Sequence, residues 1–238
     1  MNIFTNLVPK NLSRLIALTA ISFGTLVFNS CKKSDEVTVQ ATVLSVVNTS
    51  PSLGTFNIYL NDTKINSAAL PFGGRTPYAQ HAAGDFSIKV TTANAVDNLL
   101  NKTITLADQT AYSYYLIGKT PNLDGLLVTD DLSTYSTDKA FVRFINLSPD
   151  APTLDLFVKD ATTSLIADKA YKAVSGFVAI DPAVYNYDIK EKTTGTVKAS
   201  ISTGAALVAG KYYTVIARGL LTAGDTDQGF SAQVLINN

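Results

Sequence analysis

Reactive side chains are scarce in this sequence. Its 238 residues include one histidine, one cysteine, one methionine and no tryptophan, against eleven tyrosines and eleven phenylalanines. Zinc sites and thiol or imidazole catalysis need clusters of such groups, so these chemistries have almost nothing to work with. No nucleophile–base pair and no pair of catalytic carboxylates can be named, which leaves a hydrolase as a remote alternative. We therefore expect no enzyme activity and no cofactor.

Charge of one sign is also lacking. Charged residues make up 16% of the chain and the formal net charge is zero, with a sequence pI near 6.6. Outside the N-terminus there is no run of Lys or Arg, and a nucleic-acid-binding protein normally carries a basic patch or stripe. We expect no nucleic-acid partner.

One uninterrupted apolar run is present, near the N-terminus. Lys10 and Arg14 are the only charges before it, and residues 15–28 contain no ionisable side chain. The run is roughly 14 residues long, shorter than the roughly 20 that cross a bilayer as a helix. This pattern predicts an export signal peptide over residues 1–30 rather than a transmembrane anchor.

The single cysteine, Cys31, ends this region. The sequence Phe-Asn-Ser-Cys at 28–31 resembles the lipobox of bacterial lipoproteins, although Phe28 stands where Leu is usual and Asn29 is bulkier than the common residue. The resemblance implies that the sulfur of Cys31 is diacylated and that Cys31 becomes the mature N-terminus. Each buried lipid methylene contributes about 0.8 kcal/mol, so two chains would hold the protein at a membrane. The alternative is an incidental thiol near a simple secretory cleavage site.

A short acidic tether follows at residues 31–36. Ser34, Asp35 and Glu36 are similar to the short acidic signals that send some lipoproteins to the outer face of the outer membrane; a plain polar spacer would look the same. We expect a lipid-anchored outer-membrane protein exposed at the cell surface. A protein that faces the periplasm is the alternative.

The rest of the chain is a duplication. Residues 46–51 (VVNTSP) align with 144–149 (FINLSP), and residues 56–60 then align with 154–158 without a gap. Short runs with period-two alternation, broken by Gly, Pro, Asn and Asp, continue to the end of the chain and predict strands.

About seven such strands in about 100 residues are typical of an immunoglobulin-like sandwich. The predicted fold is all-β, with two tandem immunoglobulin-like antiparallel β-sandwich domains after the lipoprotein signal peptide. The domains are placed at 37–131 and 140–238, joined by a Ser/Thr-rich linker at 132–139. One cysteine cannot form a sandwich disulfide, but Tyr112 and Tyr213 begin corresponding strands after turns, where a tyrosine corner could form.

A family resemblance rests on the second copy. The sequence Asn-x-Ser-Pro-Asp-Ala-Pro at 146–152, the alternating residues 154–158 and Ala-Gly-Lys-Tyr-Tyr-Thr-Val at 209–215 resemble the bacterial extracellular family called domain of unknown function 4397. The resemblance covers both copies, although the first has Ser-Leu-Gly at 52–54 in place of Asp-Ala-Pro. It implies a secreted or lipid-anchored β-sandwich with no established activity.

Two loops are candidate sites. Asn146, Ser148 and Asp150 could bind a ligand, but these residue types also build turns by bonding their own backbone, which is the favoured interpretation. Asp225 and Asp227 have the spacing of a calcium loop. No later acidic ligand follows them, so a polar hairpin loop is favoured there.

Aromatic side chains in outward strand positions are the other candidates. Tyr59 and Phe157 occupy matching positions in the two copies, and Tyr78, Tyr115 and Phe177 are further examples. Clustered on a surface, they would form a contact patch; otherwise they pack against the other domain or neighbouring strands.

The sequence therefore favours a surface binding or adhesion module with a glycan or protein ligand. The alternative is a structural or assembly subunit of an outer-membrane or periplasmic complex. A contiguous aromatic patch would favour the former, and a long unpaired strand edge the latter.

Overall fold

Strands dominate the part of the chain that this computed structural model describes, which is residues 41–94, 98–134 and 136–237. No helix occurs within those ranges. The predicted signal peptide, the tether and the residues Cys31, Ser34, Asp35 and Glu36 lie outside them. The first copy contains β1 (Ala41–Asn48), β2 (Phe56–Leu60), β3 (Thr63–Lys64), β4 (Ala79–Ala82), β5 (Gly84–Thr92), β6 (Asn98–Leu106), β7 (Ala111–Lys119) and β8 (Asn122–Asp130).

The second copy repeats these strands in the same order. It contains β9 (Ala140–Asn146), β10 (Leu154–Val158), β11 (Ile166–Lys169), β12 (Val178–Ile180), β13 (Asn186–Glu191), β14 (Val197–Ser202), β15 (Tyr212–Arg218) and β16 (Ser231–Ile236). The domain limits remain a prediction, and the strands of the two copies fall within them.

Each copy folds into two four-stranded sheets. The order is β4-β1-β7-β8 and β3-β2-β5-β6 in the first copy, and β12-β9-β15-β16 and β11-β10-β13-β14 in the second. The predicted all-β sandwich fold is confirmed. One pairing in each copy differs from a purely antiparallel pattern, because β1 runs parallel to β7 and β9 parallel to β15. Between these strands the chain crosses to the other sheet and back twice, which supplies the long connection that a parallel pair requires.

A hydrophobic core fills each sandwich. In β2 the alternate residues Phe56, Ile58 and Leu60 are at most 4% exposed, as the period-two pattern predicts. They pack with residues of the facing sheet, including Leu44 and Tyr114. The second copy has an equivalent core between its own sheets.

A tyrosine corner closes each sandwich, as predicted. The Ala107 N–H donates to Tyr112 Oη at 3.2 Å, and the Val208 N–H donates to Tyr213 Oη at 3.0 Å. In both copies the bond returns to the residue five positions earlier. It secures the turn before the strand in a fold without a disulfide.

A third apolar cluster joins the two copies. It forms between the outward faces of β4-β1-β7-β8 and β12-β9-β15-β16, which we call the inner sheets. Its buried members come from both copies: Val47, Tyr115, Ile117, Val128, Ile145, Leu147, Ile216 and Leu235. The sheets β3-β2-β5-β6 and β11-β10-β13-β14, which we call the outer sheets, therefore lie at the two ends of a four-layer stack.

Candidate functional site

The Asn-x-Ser-Pro turn is part of the fold in both copies. The Asn146 amide accepts from the Ser148 N–H at 3.1 Å and donates to the Lys169 carbonyl at 3.1 Å. Ser148 Oγ donates to the Gly219 carbonyl at 2.7 Å. Asn146 and Ser148 are both 0% exposed, and Asn48 and Ser50 make the equivalent bonds in the first copy. Both side chains are thus used as the turn interpretation expects.

Asp150 is exposed, but its carboxylate holds a neighbouring loop. It accepts the backbone N–H groups of Leu221 and Thr222, each at 2.9 Å. These residues belong to the β15–β16 connection, residues 219–230, which we call the clasp loop. The matching β7–β8 connection of the first copy is only two residues long.

The clasp loop reaches from the second copy onto the first. The Gln228 N–H donates to the Pro51 carbonyl at 2.7 Å, and the Leu53 N–H to the Thr226 carbonyl at 3.3 Å. Asp227 pairs with Lys119 at 2.5 Å, and hydrogen bonds from Lys119 and the loop backbone lower the pKa of Asp227.

The calcium-like spacing of Asp225 and Asp227 falls in this clasp loop. The Asp227 carboxylate is occupied by Lys119 and by the Gly224 N–H, which donates at 3.1 Å. Asp225 is exposed. Within the described ranges, no three His, Cys, Asp or Glu side chains come together closely enough to hold a metal ion.

A buried ion pair lies between the copies. Arg143 of β9 pairs through Nη2 with Asp130 of β8, and their side chains are 2% and 0% exposed. Arg143 Nε donates to Thr214 Oγ1 at 2.8 Å. Asp130 Oδ2 accepts the hydroxyl groups of Ser113 and Tyr78, each at 2.7 Å. Both charges therefore have partners, as burial demands.

A second charged cluster crosses between the copies near the surface. Asp124 of β8 accepts from Lys102 of β6 and Lys172 of the second copy, each at 2.9 Å. Burial pushes the pKa of Asp124 upward, but the hydrogen bonds from the two lysines outweigh this effect and hold the pKa well below its usual range. Lys102 stands on an edge strand in the inward-facing phase, opposite Ile88. Such a charge opposes pairing of the edge with another chain.

Two of the outward-phase aromatics pack between the copies. Tyr115 is 0% exposed in the shared cluster, and Tyr78 accepts a hydrogen bond from Asn237 Nδ2 of the second copy at 3.0 Å. Phe177 is half-buried, and its ring meets the Tyr212 ring of its own copy edge-on at 4.9 Å. The five aromatics therefore do not form one patch, because Tyr78 and Tyr115 face the other copy.

Tyr59 and Phe157 remain on the outer sheets, where both are partly exposed. Each lies beside a lysine. The ammonium of Lys89 is 5.1 Å from the centre of the Tyr59 ring, and that of Lys190 is 4.3 Å from the centre of the Phe157 ring. Matching positions of the two copies thus carry the same pair of chemical groups.

Polar side chains surround each of these pairs. On the first outer sheet Ser87 Oγ donates to Asn101 Oδ1 at 2.7 Å, one strand away from Tyr59. On the second, Ser200 Oγ donates to Asp188 Oδ1 at 2.5 Å, and Asp188 is the direct cross-strand neighbour of Phe157. Each outer face therefore combines an aromatic ring, an ammonium group and hydrogen-bonding oxygens.

A groove of about 790 Å³ lies at the end of the molecule where β1 begins. Two consecutive carboxylates border it, together with Ala41 and Thr110. Asp130 turns inward to Arg143, whereas the exposed Asp131 accepts from the Ser133 N–H and hydroxyl. The two carboxylates do not face each other, so they lack the arrangement that acid–base catalysis at this groove would need.

The residues that the structure describes contain no helix long and apolar enough to span a membrane.

These features define a tandem-repeat all-β protein whose copies pack sheet to sheet. The chain belongs to the family described as domain of unknown function (DUF4397), whose model matches residues 42–157 and again residues 148–238. This confirms the two-copy family assignment drawn from the motifs.

Two solved structures are similar to the chain at low scores. One is a family CBM26 module of Amy13K from Eubacterium rectale in complex with maltoheptaose, at 12% identity and a TM-score of 0.25, covering 82% of this chain and 95% of that chain. The other is described as a "putative cell adhesion protein" from Bacteroides eggerthii DSM 20697, at 9% identity and a TM-score of 0.21, with the same two coverages. No curated protein matches the chain.

Proposed function

We propose that this protein is a lipid-anchored cell-envelope module that binds glycans through the faces of its two outer sheets. The observation that carries the proposal is the matched pairing of an aromatic ring with a lysine, Tyr59 with Lys89 and Phe157 with Lys190. An aromatic face can stack on the apolar face of a sugar ring. The ammonium group and the nearby amide and carboxylate oxygens can bond its hydroxyl groups.

The use of the other polar groups supports this choice of surface. The Asn-x-Ser-Pro turns, Asp150, the Arg143–Asp130 pair and the clasp loop are all engaged in contacts within the fold. On the outer faces, Tyr59 and Phe157 are partly exposed and keep polar side chains beside them.

Affinity electrophoresis tests the proposal. The chain would be run in native gels that contain dextran, soluble starch, yeast mannan or polygalacturonate. At least one polymer should retard it, and Tyr59→Ala and Phe157→Ala should each weaken binding at their own face roughly 3- to 10-fold, the range expected for loss of one ring contact. The matched controls Tyr59→Phe and Phe157→Tyr keep the rings and should bind as the parent does.

Two results would contradict the proposal. In the first, none of the four polymers retards the chain. In the second, a polymer retards the ring-deleted variants as strongly as it retards the ring-keeping controls, which would place the contact elsewhere.

The proposed location, lipid-anchored at the cell surface, needs a separate test. Protease accessibility on intact cells would compare the parent chain with a Cys31→Ala variant and an Asp35→Ala/Glu36→Ala variant. Lipidation at Cys31 predicts that Cys31→Ala is released from the membrane. Surface export through Ser34, Asp35 and Glu36 predicts that the parent is cleaved while the acidic variant is protected; a protected parent would instead favour a periplasm-facing protein.

A further inference from the structure

The two candidate faces point in opposite directions. Tyr59 alternates with Ile58 and Leu60, which fill the core between the outer and inner sheets of the first copy. Phe157 likewise lies on the side of β10 away from Leu154 and Leu156. Since the inner sheets pack against each other, each ring lies on an outermost surface of the stack.

The separation of the faces exceeds the reach of a small ligand. Stacked sheets lie about 10 Å apart, so three spacings place the two outer sheets about 30 Å from one another. Side chains on the outer faces add to this distance. A short oligosaccharide therefore cannot touch both rings.

The joint between the copies is built to be stiff. Besides the apolar cluster, it contains the buried Arg143–Asp130 pair at the C-terminal end of β8. Toward the other end of β8 it contains the Lys172–Asp124 contact and the Lys119–Asp227 pair of the clasp loop. Contacts therefore hold the inner sheets together at both ends. The copies cannot turn to present both rings to one flat surface, and multivalent binding to a single surface fails when the geometry forbids simultaneous contact.

We infer that each chain holds two glycan molecules at once, on opposite flanks, and so cross-links them. The inference rests on the proposed glycan-binding function and adds its consequence. A chain with two sites on opposite sides cross-links separate polymers. A chain with both sites on one side would instead bind a single polymer at two points.

The two faces are related but not identical. Lys89 is the direct cross-strand neighbour of Tyr59 and also pairs with Asp62 at 2.5 Å. On the other face, the neighbour of Phe157 is Asp188, and Lys190 reaches the ring diagonally from its place opposite Asp155. A substitution at one ring therefore weakens one face and leaves the other intact. Such a variant can still bind glycan but bridges two glycan molecules less well.

A two-colour bead assay tests the inference. Red and green beads would each carry the polymer that retards the chain in affinity electrophoresis, and the Cys31→Ala full chain would be added at increasing concentration. Mixed-colour clusters should form at intermediate concentration and disperse in excess protein, because each glycan on the beads is then bound by a separate chain and the second face of that chain finds no free glycan. Tyr59→Ala and Phe157→Ala should each still bind the beads but form roughly 3- to 10-fold fewer mixed clusters, in proportion to the weakened face. Tyr59→Phe and Phe157→Tyr should cluster them as the parent does.

The possible failures are distinguishable. Beads that bind the chain without clustering would overturn the cross-linking inference and leave glycan binding in place. Clustering that is as strong in either single ring-deleted variant as in the parent would also overturn it, because the bridge would then not depend on both rings. Absence of binding to all four polymers would overturn the proposed function and this inference together.

Discussion

Removal of the buried Arg143 guanidinium should show how much the contact between the two copies contributes to the stability of the protein. In Arg143→Met the apolar stem is replaced, but the charge and its hydrogen bonds to Asp130, Thr214 and the Thr129 carbonyl are lost. The Asp130 carboxylate, whose side chain is 0% exposed, would keep only its hydroxyl donors. Breaking a buried ion pair in this way costs about 3–5 kcal/mol, so the free energy of unfolding should fall by that amount.

A second substitution separates the stranded charge from lost packing. Asp130→Asn removes the negative charge but keeps an oxygen that can accept from Ser113 and Tyr78. The double variant Arg143→Met/Asp130→Asn should therefore be more stable than Arg143→Met alone, with a coupling free energy of about 1–3 kcal/mol. Urea unfolding followed by far-UV circular dichroism gives all four values of the cycle.

The outcome that would refute this reasoning is specific. If Arg143→Met lowered the free energy of unfolding by less than about 1 kcal/mol, the pair would behave as an exposed one. If the double variant were less stable than Arg143→Met, the stranded carboxylate would not be the source of the cost.

Three further predictions concern single elements. Tyr213→Phe removes the acceptor of the Val208 N–H and should lower the free energy of unfolding by about 1 kcal/mol in urea melts; an unchanged value would deny the corner a role. Gly125→Ala would bring a methyl group into the hydroxyl and ring of Tyr114 and should cost about 1–3 kcal/mol, a cost that should be smaller in a Tyr114→Leu background if the overlap is its cause. Asp124 has a lowered pKa in the folded protein, so its contribution is present above its unfolded pKa of about 3.9 and is lost as pH falls through the lower folded pKa. Asp124→Asn should therefore be less stable than the parent at pH 7, with a gap that narrows below about pH 4 in unfolding curves measured across pH; a gap independent of pH would contradict the lysine contacts.

Alternation along the strands predicted the cores because one face of each outer sheet meets apolar groups and the other meets solvent. Phe56, Ile58 and Leu60 illustrate this case. The same rule could not predict that the outward-facing residues of the inner sheets pack against the other copy instead of facing solvent. Tyr115, which is 0% exposed, is an example. A signal was available in β9, whose residues are buried throughout, as in a strand covered on both faces. Arg143 lies within that buried run, and its charge is paired with Asp130 of the other copy. Alternation along β9 does not reveal this partner.

The clasp loop shows a second limit of the sequence. Asp225 and Asp227 lie in a polar loop, but the contact from Asp227 to Lys119 joins residues more than a hundred positions apart. Comparison of the aligned copies could have found this loop, because the β15–β16 connection is longer than the β7–β8 connection. Its landing site on Pro51 and Leu53 depends on how the copies pack, which the sequence pattern does not reveal.

The distance between the two outer faces tests the account most directly, since both the four-layer stack and the opposed sites depend on it. Spin labels would be placed at Thr103→Cys on β6 and Ser200→Cys on β14, both exposed, in a Cys31→Ala background that removes the only native thiol. Pulsed electron–electron double resonance should give one narrow distribution centred at about 30–45 Å, the sum of three sheet spacings, the lateral offset and the label arms. A broad distribution, or a centre below about 25 Å, would contradict the rigid stack and with it the bridging of two glycans.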